Sequence, residues 1–117
     1  MKNEEKRVKI VIVSERKEDI LSIKNSTNEV YGLVYYPYEE ILLFDNVYAI
    51  YSKEATDYKI EDECFYKNRT IKGKDIYGTF IVVAKDKKGE KFISLTEEQI
   101  EEIKYILGRK TRNGNIE

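Results

Sequence analysis

Apolar and polar residues alternate along this chain in rhythms that predict several short elements. Val8-Lys9-Ile10-Val11-Ile12-Val13 is β-branched and apolar on nearly both faces, which predicts a strand in the interior of a sheet. The charged turn 14–19 leads into Ile20-Leu21-Ser22-Ile23, a shorter strand expected to fold back on the first as a hairpin. Ile41–Phe44 and Val47–Tyr51 flank Asp45-Asn46, two residues that tolerate the left-handed backbone of a tight turn, and predict a second hairpin. The strongest strand signal is Ile76–Ala84, with Ile76, Gly78, Phe80, Val82 and Ala84 on one face and Tyr77, Thr79, Ile81 and Val83 on the other. A polar turn over 85–91 returns the chain into Phe92–Leu95.

Helical spacing occurs twice. Ser26 or Thr27 can N-cap a short helix near 26–34 with Val30, Leu33 and Val34 inward, and Pro37 ends that element. Thr96-Glu97-Glu98-Gln99 is a capping box, after which Ile100, Ile103, Ile106 and Leu107 line one face of a helix over 97–107 that Gly108 closes. Residues 52–75 sustain no period, so a long excursion with one short helical turn is expected, the kind of segment that often carries function. The fold class expected is α+β: a small, mostly antiparallel sheet of hairpins with two short helices. Residues 8–108 are read as a single domain, 1–7 as a flexible N-terminus and 109–117 as a flexible basic tail.

Composition narrows the chemistry. The 117 residues suit one domain, and charged residues reach 37% against roughly 25% in ordinary soluble domains. The chain has no histidine, no tryptophan and one cysteine, which removes Ser-His-Asp and Cys-His nucleophile systems and the usual histidine- or cysteine-based metal sites. A net charge of −1 argues against bulk electrostatic binding to nucleic acid. No apolar run approaches the ~20 residues of a membrane span, the charged N-terminus lacks a signal-like core, and a lone Cys64 suits a reducing compartment, so a cytoplasmic location is expected. Cys64 itself reads as a small half-buried hydrophobe, because no histidine exists to activate it. GxGxxG and GxxxxGK[ST] are both missing, and no cofactor is expected. Glu61-Asp62-Glu63 reads as a solvated acidic stretch, since adjacent residues of an extended segment do not share a face, and no metal is expected.

Two anomalies remain. Residues 54–63 carry Glu54, Asp57, Glu61, Asp62 and Glu63 against Lys59, whereas 67–74 carry Lys67, Arg69, Lys72 and Lys74 without an acid. Either the basic half, with Phe65, Tyr66, Asn68 and Arg69, grips an anionic ligand, or the two halves form a solvated loop that pairs with itself. Tyrosine is the other: ten in all, with Tyr31, Tyr35, Tyr36 and Tyr38 clustered. That cluster reads equally as half-buried packing or as a subunit or ligand surface.

Asn68-Arg69, then Ile76-Tyr77-Gly78-Thr79-Phe80-Ile81-Val82-Val83, then Gly89-Glu90-Lys91-Phe92-Ile93-Ser94-Leu95-Thr96-Glu97-Glu98-Gln99-Ile100 resemble a small domain family of unknown function from phages, plasmids and other mobile elements, especially of Firmicutes. The resemblance is close over 68–107 and looser over 8–52. It implies a mobile-element origin and, by analogy, a non-enzymatic protein that counters host immunity. The first expectation is a homo-oligomeric sponge for a nucleotide-like anionic signal. Arg69 would grip phosphate, Asn68 would orient a ribose or base edge, and Tyr66 with Tyr35, Tyr36 and Tyr38 would stack. Thr79 is counted with them, and Arg109 and Arg112 of the tail would close a neighbour's site. The alternatives are an inhibitor or adaptor that blocks a host defence protein, and a weak hydrolase using paired carboxylates. Arg69 also has a structural reading, as the buried partner of Asp57, Glu61 or Asp62.

Overall fold

The structure is a computed structural model that describes residues 7–63 and 65–112, with side chains to Gly108. Its elements in chain order are β1 (Arg7–Val13), β2 (Glu18–Lys24), α1 (Thr27–Tyr31), β3 (Tyr38–Phe44), β4 (Val47–Ser52), α2 (Lys53–Asp57), β5 (Lys67–Ile71), β6 (Lys74–Tyr77), β7 (Phe80–Lys85), β8 (Phe92–Ile93) and α3 (Glu97–Arg112). The main sheet runs β2-β1-β7-β4-β3, with β8 also on β7, and all its pairings are antiparallel. The fold is α+β, as expected.

Both predicted hairpins form, and β1 lies inside the sheet between β2 and β7. Asp45 takes the left-handed conformation in the β3–β4 turn, at φ 47°. Alternation along β1, β4 and β7 divides the core in two. Val11, Val13, Val47, Ala49, Phe80 and Val82 pack on one face with Ile100, Ile103 and Leu107 of α3 and Ile71 and Ile76 of the β5–β6 hairpin. Val8, Ile10, Ile50, Ile81 and Val83 pack on the other with Val30 and Val34. At roughly 1.5–3 kcal/mol for each fully buried aliphatic side chain, these two layers hold the sheet together.

Three expectations change. Ile76–Ala84 is not one strand: Gly78, at φ +87°, breaks it into β6 of a separate two-stranded sheet and β7 of the main one. Residues 52–75 do hold the expected short helical turn, α2, whose N-cap Ser52 Oγ accepts from Ala55 N–H at 3.2 Å, but they are not otherwise an excursion, since they also hold the whole of β5. The β5–β6 turn places Lys72 at φ 52° and Gly73 at φ 83°, the two positive angles that a type I′ hairpin requires. Finally, α3 continues past Gly108 to Arg112. Its start matches the predicted capping box: Thr96 N–H donates to Gln99 Oε1 at 2.9 Å, and Gln99 N–H to Thr96 Oγ1 at 3.1 Å. The short helix near 26–34 is one turn, Thr27–Tyr31, capped by Ser26. Cys64 lies outside the described residues.

Gly78 is required twice over, because a Cβ there would lie 2.9 Å from the Phe65 ring and the backbone angle disfavours any side chain. Gly78→Ala is expected to cost about 1–3 kcal/mol, lowering Tm by roughly 4–20 °C in a domain of this size. Gly73→Ala meets nothing within 4 Å and carries the backbone cost alone. Thermal melts of the two variants, compared with wild type, check that Gly78 is the more sensitive position.

Candidate functional site

In a regular strand successive side chains face opposite ways, yet Asn68 and Arg69 are both buried. A bulge in β5 between Lys67 and Arg69 turns both side chains inward. Asn68 Nδ2 donates to Val13 O and to Gly78 O, each at 3.0 Å, stitching the end of β1 to the break before β7. Its Oδ1 accepts from Arg69 Nη1 at 2.7 Å.

Arg69 faces the interior entirely. Nε donates to Leu107 O at 2.9 Å, Nη1 to Glu15 O at 2.9 Å and Asn68 O at 3.0 Å, and Nη2 to Glu18 Oε2 at 2.8 Å. The side chains of the Arg69–Glu18 ion pair are 1% and 12% exposed. Gly108 leaves space for that carboxylate, since a Cβ at 108 would sit 3.3 Å from Glu18 Oε1. The anion-grip role expected for Arg69 and Asn68 therefore fails on accessibility. Their donors are committed to protein acceptors, and a solvent-borne phosphate has no approach. The structural reading holds instead, with Glu18 as the partner rather than Asp57, Glu61 or Asp62; Asp57 pairs with Lys53 at 2.6 Å.

The remaining candidates divide. Tyr66 Oη and Thr79 Oγ1 share a hydrogen bond of 2.9 Å, both half-buried, just outside the Asn68 tether. Phe65 covers Gly78, and Tyr35 meets the Phe65 ring edge-on at 5.2 Å. Tyr35, Tyr66 and Thr79 thus gather at the end of the sheet where β1 stops and β7 begins. Tyr36 stands edge-on to Tyr38 at 5.4 Å, and Tyr38 packs on Tyr31 at 4.8 Å over the α1 face. Tyr35 and Tyr36 are 59% and 73% exposed, while Tyr38 is half-buried, so the cluster is packing at one end and surface at the other. The side chains of Arg109 and Arg112 lie outside the described residues.

One polar group of residues went unnoticed in the sequence. Glu40 accepts from Tyr31 Oη and from Lys85 Nζ, both at 2.7 Å, and Lys85 Nζ sits 4.9 Å from the centre of the Tyr48 ring. Burial, then the hydrogen bond to Glu40, pushes the Tyr31 phenol up to about 12. Tyr51 is raised likewise, by burial and by its 3.0 Å bond to Glu39. These contacts join residues on α1, β3, β4 and β7, brought together by the strand register and by the packing of α1 on the sheet. No group of three or more metal-ligating side chains occurs among the described residues, and no helix there is long and apolar enough to cross a membrane.

Two outcomes are expected. Arg69→Ala leaves the Glu18 carboxylate without its cation in a nearly closed site, so it should cost about 3–5 kcal/mol, read by denaturant melts at neutral pH. Tyr31 holds its proton more tightly folded than unfolded, so its contribution is complete below pH 10 and is lost as pH rises toward about 12. Melts across that range should show stability falling with pH, and Tyr31→Phe should make the fall shallower.

No curated protein and no solved structure matches the chain. A family does match, described as a domain of unknown function, DUF3846, over residues 8–107. That span takes in the whole of the sheet from Val8 on, the β5–β6 hairpin with its Asn68-Arg69 tether, and α3 up to Leu107, and the chain belongs to the DUF3846 family.

Proposed function

We propose that this chain is a non-enzymatic binding protein, an inhibitor or adaptor that docks a protein partner through Tyr35 and Tyr36. One observation carries this reading: two consecutive tyrosines stand 59% and 73% exposed, each backed by another ring, Phe65 behind Tyr35 and Tyr38 behind Tyr36. Large rings held in place by packing lose little freedom on binding, and exposed tyrosines of this kind supply the energetic centre of many protein interfaces. The segment that bears them is tied down, because Pro37 O accepts from Lys53 N–H at 2.8 Å. The resemblance to domains of phages, plasmids and other mobile elements adds the class of partner: a host defence protein in a bacterial cytoplasm.

Sequestration of a nucleotide-derived signal is the second reading. It loses Arg69 as its phosphate grip and keeps the corner of Tyr35, Phe65 and the Tyr66–Thr79 hydroxyl pair, where ring faces and hydroxyls lie together as a base and a ribose require. No catalytic step belongs to either reading.

The test is a paired one. Tyr35→Ala and Tyr36→Ala, singly and together, should leave Tm close to wild type, since exposed substitutions usually change stability by less than about 0.5 kcal/mol. Pull-down from a host lysate should recover one stoichiometric partner with wild type and lose it with the double variant. Titration calorimetry of wild type against cyclic dinucleotides and cyclic ADP-ribose isomers should show no heat. Micromolar nucleotide binding with no protein partner replaces the docking reading by sequestration. A partner retained by the double variant removes these two tyrosines from the interface.

A further inference from the structure

The main sheet ends in two edges, β2 and β3. The β3 edge is blunted: its register breaks at an irregularity between Leu42 and Phe44, and Glu39 and Glu40 lie along it. The β2 edge has charges only at its two ends and no break in register. All 7 of its residues pair with β1 without a break, and its middle, Ile20-Leu21-Ser22-Ile23, carries no charge.

The outward backbone groups of β2 can be assigned from β1. Lys9 N–H donates to Ser94 Oγ at 2.9 Å, and Lys9 O accepts from Leu95 N–H at 3.0 Å, so both groups point away from β2. Ser22 stands opposite Lys9. In an antiparallel ladder the N–H and C=O of Ser22, and by alternation those of Glu18, Ile20 and Lys24, therefore point off the sheet. Arg7 confirms that this carbonyl faces outward, since Nη2 donates to Ser22 O at 2.5 Å and Nε to Ser22 Oγ at 3.1 Å, and pairing along β2 requires this exposed side chain to swing aside.

We propose that β2 is a homodimer interface, in which the β2 strands of two copies pair antiparallel about a two-fold axis at Leu21 and join their sheets into one. Charge selects a second copy as the occupant. The strand is acidic at its start, with Glu18 and Asp19, and basic at its end, with Lys24. Antiparallel self-pairing about Leu21 sets Glu18 opposite the second copy's Lys24 and Ile20 opposite its Ser22. These are the four residues with outward backbone groups, so they become the hydrogen-bonded pairs of the new ladder. Glu18 keeps its own ion pair with Arg69 and is 12% exposed, so the second copy's Lys24 meets only the outer edge of that pair, and Asp19 and Lys24 carry the exposed charge of the strand.

The α3 side of the edge agrees. Ile20 and Tyr105, 49% and 60% exposed, line a groove of about 600 Å³ between β2 and α3. The groove's charges balance, Glu97 and Glu101 against Lys9 and Lys104, so a second copy meets no field of like sign. Pairing brings the second copy's Ile20 beside that groove. The interface lies apart from Tyr35 and Tyr36 and does not rest on their role.

Sedimentation equilibrium of the full chain across the micromolar range tests this, with circular dichroism as the check on folding. Wild type is expected to dimerise. Ile20→Lys places a charge in the middle of the edge, and Ser22→Pro removes an outward N–H without removing a donor from the β1 ladder. Each should raise the dimer dissociation constant at least about tenfold. Lys24→Glu, a surface change that the fold tolerates, sets like charges opposite and should weaken the dimer less. Amide exchange supplies an independent readout: Ile20 and Ser22 should slow as concentration rises, while Leu21 and Ile23 stay protected throughout. A monomeric wild type overturns the proposal, as does a dimer that all three variants leave unchanged. So does an edge that pairs only with a foreign strand.

Discussion

A guanidinium taken out of water brings five N–H donors that must find acceptors inside the protein. All three guanidinium nitrogens of Arg69 find acceptors, on the last turns of α3, on the β1–β2 turn, on β2 and on its own neighbour in β5. Those segments are distant in the chain and lie at one end of the sheet, so a single side chain fixes how the helix and the small hairpin seat against the larger sheet. A buried ion pair of this kind adds little net stability over a well-packed apolar residue, because desolvation offsets much of the attraction. Its effect is on arrangement: a shifted α3 or a misregistered β5 leaves a buried charge without its partners. Asn68 extends the same constraint to the chain break at Gly78 by holding Val13 O and Gly78 O together.

The sequence made some of this plain and hid the rest, for identifiable reasons. The two hairpins, the capping box at Thr96 and the apolar face of α3 are local patterns, decided within a few residues, and they stand as expected. β5 escaped because strands are found by apolar alternation, and in Lys67–Ile71 two of the three buried residues are Asn68 and Arg69. Ile76–Ala84 looked like one strand because a glycine in an alternating run keeps the period whether or not its φ is positive. Gly108 looked like a helix end, whereas its small size serves the Glu18 carboxylate beside it. Asn68-Arg69 stood out as a candidate anion grip, whereas its duty is internal. Which way they faced depended on a bulge and on an acid far away in β2, and neither has a local signature.

Burying that pair changes what the surface has to offer. Exposed charges of both signs remain beside it, Glu15, Arg16, Lys17 and Lys67, while on the Gly78 side the accessible groups are aromatic and hydroxylic: Tyr35, with the partly covered Phe65, Tyr66 and Thr79, and then Tyr36. An aromatic and hydroxylic surface of this kind provides contact area and hydrogen bonds, which is the ground on which docking of a protein partner was proposed. Tyr31, Glu40, Lys85 and Tyr48 lie behind Tyr36 and Tyr38 and satisfy one another, so the rings on the α1 face rest on a polar network whose geometry the strand register sets.

Strand order relates the two surfaces. β2 and β3 are opposite edges of the sheet, and Tyr35 and Tyr36 lead into β3. Self-pairing along β2 therefore leaves both tyrosine pairs uncovered and carries them to the far borders of a joined sheet. With strands about 4.8 Å apart, the two docking surfaces would lie roughly 40 Å from each other across the strands. Two identical sites at that spacing engage a dimeric or repeated target far more tightly than either does alone, and gain nothing on a monomeric one. Under these two proposals together the architecture would favour a partner that is itself multivalent, a preference that would follow from which edge is broken in register and which is regular.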